Sequence, residues 1–198
     1  MNKRKKGNEK YGIEIPNTYK RAVELDIDNG NTVWQTAVQT ELAALINHGC
    51  FQFKDKHFKP SAEYQYAPLV LIFELKQDLR RKARLVIQGF KVDPRDLSTR
   101  STVVKGISVR LLDVIAHRDK LRILTGDIGN AFIQAPTKEK VYTVCKGKEW
   151  GEYKDCVAII KKALYGLTTS AAQWRNLFAD FLRKLGFIPT RYDRDVWL

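Results

Sequence analysis

Apolar positions along the chain switch between helical and strand periodicity, and the switches mark out the elements. In TVWQTAVQTELAALINHG, residues Trp34, Ala37, Val38, Leu42 and Leu45 share one helical face. Thr32 and Gln35 have capping-box spacing and Gly49 supplies a stop, so a helix is predicted between them. YAPLVLIFELK and RRKARLVIQGF are rich in apolar and β-branched residues. They flank a tight polar connection at Gln77 and Asp78, which predicts a β-hairpin. After a loop with Pro94, residues Ile107, Leu111, Val114 and Ile115 return to helical spacing. LRILTGD reads as a buried strand ending at Asp127, and NAFIQA turns away from it. VYTVC and CVAIIKKAL predict a further hairpin within residues 141–163. Finally, SAAQWRNLFADFLRKLG places Trp174, Leu177, Phe178, Phe181, Leu182 and Leu185 on one stripe expected to be core, with Gly186 as its stop. The order helix, hairpin, helix, strand, hairpin, helix indicates an α+β fold of antiparallel hairpins with packed helices, not βαβ repeats.

Composition narrows what such a fold does. At 198 residues and 44% hydrophobic content, the chain fills the core of one good-sized domain or two small lobes. A net charge of +13 and a pI near 9.7 favour a polyanionic partner, either nucleic acid or an anionic membrane surface. The longest apolar run, Ala67 to Phe73, falls well short of the roughly 18 residues of a membrane span. No membrane partner is expected. With no secretory signal, the expected location is intracellular, cytoplasmic or nuclear. Cys50, Cys145 and Cys156 are odd in number and far apart in sequence, which suits a reducing interior and offers no disulfide framework or C-x-x-C knuckle. The charge concentrates at the start, where MNKRKKGNEK carries Lys3, Arg4, Lys5, Lys6 and Lys10 against Glu9. Residues 1–30 are therefore expected to be a basic, disordered tail, turn-rich from residue 11 onward; a nuclear-import or nucleic-acid arm is the alternative use of its first ten residues.

Two sites carry chemistry. Along RRKARLVIQGF, Lys82 and Arg84 share a face because strand side chains alternate, and Lys76, Arg80, Arg81, Lys82 and Arg84 outweigh Asp78. That density suits phosphate binding, against the plainer reading of a solvated strand edge. The second site is Asp127. A strand-terminal carboxylate is commonly a cap or an ion-pair partner, but here Gly129 and Ala131 leave the backbone open to a bulky anion and Phe132 adds a flat wall. Such a carboxylate suits a magnesium-bound triphosphate. The sequence contains no G-x-x-x-x-G-K-[ST] phosphate loop, G-x-S-x-G elbow or H-E-x-x-H zinc motif, and His48, His57 and His117 are scattered.

Four stretches in order carry a resemblance: W-x-x-A-x-x-x-E at Trp34 to Glu41, KARLVIQGF at Lys82 to Phe90, GDIGNAF at Gly126 to Phe132, and ALYGLTTSAAQW at Ala163 to Trp174. Together they resemble the reverse transcriptase of copia-type long-terminal-repeat retrotransposons, collinearly over roughly Val33 to Leu198. The resemblance implies a right-hand polymerase. Its fingers would cover about residues 31–102 and 135–169, and part of its palm about 103–134 and 170–198. Asp127 would be a catalytic, magnesium-binding aspartate, with the Ile128 carbonyl as a further ligand. Gly129, Asn130, Ala131 and Phe132 would line the nucleotide, with Phe132 rejecting a ribose 2′-hydroxyl. Lys82 and Arg84 would lie above the dNTP, Tyr165 and Gly166 would touch it, and Arg80, Arg81 and Ser170 would face the nucleic acid. The partners implied are an RNA template, an RNA–DNA duplex and dNTP, with integrase and RNase H as neighbouring polyprotein segments.

Several positions depart from the family pattern. Ala171 stands where proline often follows Ser170, and Thr168 replaces a basic residue. Above all, no adjacent pair of aspartates occurs in the chain. Asp193 and Asp195 alternate with Arg194, and their expected role is surface pairing with arginines. Nucleotidyl transfer uses two Mg²⁺ ions about 4 Å apart, held by shared carboxylates. Asp127 alone would hold at most one, and weakly. The expectation is a fragment of a reverse transcriptase that does not polymerise alone. The alternatives are a polymerase completed by further sequence or a partner chain, and a noncatalytic basic module that binds RNA or RNA–DNA duplex.

Overall fold

The structure is a computed structural model describing residues 8–198, so the basic cluster from Lys3 to Lys6 lies outside the described residues. The chain enters through a short hairpin, β1 (Glu9–Lys10) and β2 (Ile13–Glu14), turned by Tyr11 and Gly12, both at positive φ. Helix α1 (Tyr19–Asp28) follows, started by Thr18, whose hydroxyl accepts the Arg21 N–H at 3.1 Å. Residues 9–28 thus hold a hairpin and a helix where a tail was expected. Ala22 and Leu25 of α1 are buried in the main core, and Arg21 is held by Glu14 and Glu24. Two apolar contacts on an otherwise charged helix leave little periodicity to read.

Helix α2 (Val33–Asn47) occupies its expected span, but its start differs from the predicted capping box. The Thr32 side chain makes no cap bond. Instead the buried Asp26 carboxylate, reaching across from α1, accepts the N–H groups of Trp34 at 3.0 Å and Gln35 at 2.9 Å. Gly49 ends the helix at φ +66°, with its own N–H on the Ile46 carbonyl and the Cys50 N–H on Leu45, which satisfies two of the final carbonyls.

Among the described residues, eight strands form three sheets. β5 (Leu69–Leu75) and β6 (Arg81–Ile87) make the predicted antiparallel hairpin, registered from Leu69 opposite Ile87 to Leu75 opposite Arg81. β7 (Val141–Val144) and β8 (Val157–Ile160) form the second expected hairpin. Two strands absent from the sequence reading complete its sheet: β3 (Phe51–Lys54) pairs antiparallel with β8, and β4 (Gln65–Tyr66) pairs parallel with β7. One hydrophobic core joins α1, α2, the β5–β6 hairpin and this sheet. Trp34 sits edge-on to Phe73 at 5.7 Å, and Trp150 sits edge-on to Phe51 at 5.5 Å. This architecture is α+β.

The two remaining long helices lie where expected but pack differently, and the expected strand between them is absent. α3 (Gly106–Arg118) buries none of its residues. Residues 121–127, expected to be a buried strand, have no regular structure and are exposed, with Leu124 at 93% and Ile123 at 59%. A strand needs a hydrogen-bonding neighbour, and no described strand pairs with this one. α4 (Ala131–Gln134) is a single turn. α5 (Ser170–Lys184) buries Ser170, Ala172 and Ala179. The Trp174-to-Leu185 stripe is not core: Leu177, Phe181 and Leu185 are exposed because no described element covers that side.

Candidate functional site

The site begins where β6 meets the loop before α5. The Ile87 N–H donates to the Tyr165 carbonyl at 2.9 Å, which fixes that loop against the end of the strand. Gly166 follows at φ +97°, and a Cβ there would lie 2.0 Å from the Ile87 carbonyl oxygen. From the other side, a Cβ on Gly89 would lie 2.1 Å from the Gly166 carbonyl oxygen. Both positions accept only glycine, because backbone meets backbone. The Ser170 hydroxyl, buried at the first turn of α5, donates to the Leu164 carbonyl at 2.6 Å and closes the loop on itself. Ser170 thus has an internal partner, whereas the resemblance gave it a nucleic-acid contact.

This stitching presents Tyr165 beside two residues from distant stretches. The Arg84 guanidinium lies over its ring at 5.8 Å, and the Phe132 ring is 5.2 Å away at 45°. Three sequence-predicted residues, from β6, α4 and the loop, therefore converge. Lys82, on the same strand face as Arg84, lines a neighbouring groove of about 590 Å³ with Arg80, Arg81, Asn130 and the α2 residues Thr40 and Glu41. Asn130 turns the chain into α4 at φ +53°, and the Gly129 carbonyl accepts the Gln134 side chain at 3.0 Å. Opposing charge is close by. Glu74 pairs with Lys76 at 2.6 Å and approaches Arg84 at 3.9 Å, and its pKa is lowered first by the Lys76 hydrogen bond.

Asp127 makes no contact with this cluster among the described interactions. It is exposed, makes no hydrogen bond or ion pair among the described residues, and belongs to no described group of three metal-ligating side chains. Asp195 pairs with Arg175 at 2.7 Å, as expected of an aspartate beside arginines. Asp193 does not. It is buried at the start of α3, accepting the Lys105 N–H at 2.8 Å and the Ser108 hydroxyl at 2.6 Å, and these bonds hold its pKa below the usual carboxylate range. The described residues thus fit one carboxylate contact to a Mg²⁺ ion, and do not form a two-ion cradle.

Two functional neighbours were missed in the sequence. Glu41, part of the W-x-x-A-x-x-x-E stretch, accepts the Leu85 N–H at 3.1 Å beside Lys82 and Arg84. Its spacing of two helical turns from Trp34 was the available signal. Glu139 is buried against Thr169, and nothing in KEKV marks which of its charged residues turns inward.

Residues 59–197 match the family model described as reverse transcriptase (RNA-dependent DNA polymerase). The chain belongs to the reverse transcriptase family of copia-type retrotransposons. Its curated relatives include retrovirus-related Pol polyproteins of plant transposons. It is 31% identical over 136 residues to the retrovirus-related Pol polyprotein from transposon TNT 1-94 of Nicotiana tabacum, covering 64% of this chain and 10% of that protein. It is 30% identical over 122 residues to the corresponding polyprotein from transposon RE2 of Arabidopsis thaliana, covering 60% of this chain and 8% of that protein. The chain thus spans a tenth or less of the length of these relatives. No solved structure matches it. Three of the four reverse transcriptase motif stretches, including the Tyr165 loop and Asp127, fall inside the matched span, and Trp34 to Glu41 precedes it.

Proposed function

We propose that this chain forms the fingers and part of the palm of a retrotransposon reverse transcriptase, and that alone it binds nucleic acid and dNTP without extending a primer. The observation that carries the reading is the convergence of Arg84, Tyr165 and Phe132. In this reading the guanidinium meets the triphosphate, the Tyr165 loop meets the nucleotide, and the Phe132 ring closes the side where a 2′-hydroxyl would sit. Lys82, Arg80 and Arg81 extend the positive surface toward the template through the groove they share with Asn130. Magnesium would neutralise the triphosphate, with Asp127 as its protein contact. The exposed Asp127 lacks the shared carboxylates that two ions need, and this supports binding without catalysis.

Primer extension on an oligo(dT)-primed RNA template tests the catalytic half. Robust incorporation abolished by Asp127→Ala would overturn it. Binding of a labelled RNA–DNA duplex tests the other half. Neutralising both Arg80 and Arg81 is expected to reduce the slope of log affinity against log salt by about 2. The isolation of Asp127 favours a second reading, a noncatalytic RNA or RNA–DNA binder. Duplex binding that responds to Lys82 and Arg84, with dNTP binding absent at any Mg²⁺ concentration, would select it.

A further inference from the structure

Between the Phe132 segment and the Tyr165 loop runs a set of ties. Two are backbone bonds: the Ala163 N–H donates to the Ala135 carbonyl at 2.9 Å, and the Thr137 N–H to the Lys161 carbonyl at 3.1 Å. One is a buried side chain. Glu139, 5% exposed, directs Oε1 at Thr169, accepting its N–H at 3.1 Å and also its hydroxyl. Thr169 is the N-cap residue of α5, and its hydroxyl in turn accepts the side-chain N–H of Gln173. Gln173 Oε1 returns to the first segment by accepting the Lys138 N–H at 3.2 Å. The circuit Glu139–Thr169–Gln173–Lys138 therefore closes on itself. It locks the end of the Tyr165 loop to the segment between α4 and β7.

The placement is costly for a purely structural bond. No described cation pairs with Glu139, and its second carboxyl oxygen is buried without a described partner. Burial of an acidic group on such terms favours replacement by an apolar side chain unless the group fixes a geometry. What it fixes is the far end of the segment that carries Tyr165 and Gly166; the near end is fixed by Ile87.

We propose that Glu139 is a positioning residue for the nucleotide-facing loop, acting through Thr169 to hold the Tyr165 ring against Phe132. The link to nucleotide rests on the function proposed above; the link to ring geometry does not. The test uses the full chain. The nuclear Overhauser contact between the Tyr165 and Phe132 rings reports the loop, the Trp34–Phe73 contact reports the core, and titration with dTTP and Mg²⁺ on an RNA–DNA duplex reports nucleotide. Glu139→Leu is expected to remove the Tyr165–Phe132 contact and weaken dTTP at least tenfold, with Trp34–Phe73 retained. Glu139→Gln keeps an acceptor for Thr169 and is expected to preserve ring contact and affinity within twofold. Should the leucine variant lose the core contact as well, Thr169→Val carries the same comparison, and an undiminished Tyr165–Phe132 contact there overturns the proposal. Retention of that contact in Glu139→Leu overturns it directly, as does its full loss in Glu139→Gln. If the ring contacts respond as expected while wild-type chain binds no dTTP, the positioning role stands and the nucleotide reading fails.

Discussion

Glu41 shows how one side chain completes a sheet edge. On the side of β6 facing α2, no strand receives the Leu85 N–H, and the Glu41 carboxylate takes that acceptor role from the helix. Burial pushes its pKa above the usual carboxylate range, and this outweighs the opposing pull of the Leu85 N–H, Lys82 and Arg84. The sign follows from the direction. A folded-state pKa raised above the unfolded one means that ionised Glu41 costs stability at neutral and higher pH. The cost is relieved as pH falls through the raised value. Glu41→Gln keeps an acceptor and removes the ionisable group. In mildly alkaline buffer it is expected to melt about 1–3 °C above wild type, a small effect because solvent screens a half-buried charge. On acidification that gap should close, and a gap that widened would contradict the assignment. Glu41→Ala leaves the Leu85 N–H without a partner and should cost about 1–3 kcal/mol across the pH range, read from thermal melts.

Elements were legible where their own residues decide them, and misread where a distant neighbour decides. α2 carries its periodicity in five apolar positions and stops at a glycine that takes φ +66°, so the sequence reading placed it well. Its cap was misread because the acceptor is Asp26, in a helix too charged to be noticed. The β5–β6 hairpin was legible from its turn and alternation, yet β3 and β4 were missed. Four and two residues long, they are strands only because β8 and β7 pair with them. Of the site, Lys82 and Arg84 were named from strand alternation and charge density and Phe132 and Tyr165 from the family resemblance, while Glu139 depends on which way one side chain turns in the fold. The cap admits a test. Asp26→Ala removes the acceptor for two backbone N–H groups and the Gln35 side chain, all within 3.2 Å. The expected loss is about 2 kcal/mol, or roughly 4–8 °C in melting temperature, with faster amide exchange confined to the first turn of α2. Thr32→Ala should leave both nearly unchanged, since that side chain makes no cap bond.

At the scale of the whole molecule, two surfaces oppose one another. One is apolar: Ile107, Leu111 and Val114 on α3, Ile123 and Leu124 beyond it, and Phe181 and Leu185 on α5 are all exposed, and exposed side chains of this kind favour association. The other is a net charge of +13, which repels like copies and attracts polyanions. Salt separates them. The Debye length shrinks from about 10 Å at 0.1 M to about 3 Å at 1 M, so added salt screens the repulsion while leaving apolar contact intact. Self-association measured by sedimentation is therefore expected to rise with salt, and Leu124→Lys with Phe181→Lys should suppress it. Duplex affinity should move the other way, falling about tenfold between about 50 and 200 mM salt if Arg80 and Arg81 are the phosphate contacts. The paired lysine variant should leave the duplex affinity no weaker, because Leu124 and Phe181 belong neither to the Arg84–Tyr165 cluster nor to the groove that Arg80 and Arg81 line. Association that fell with salt in parallel with duplex binding would mean that copies of the chain meet through charge, and that the apolar face of α3 and α5 is not what joins them.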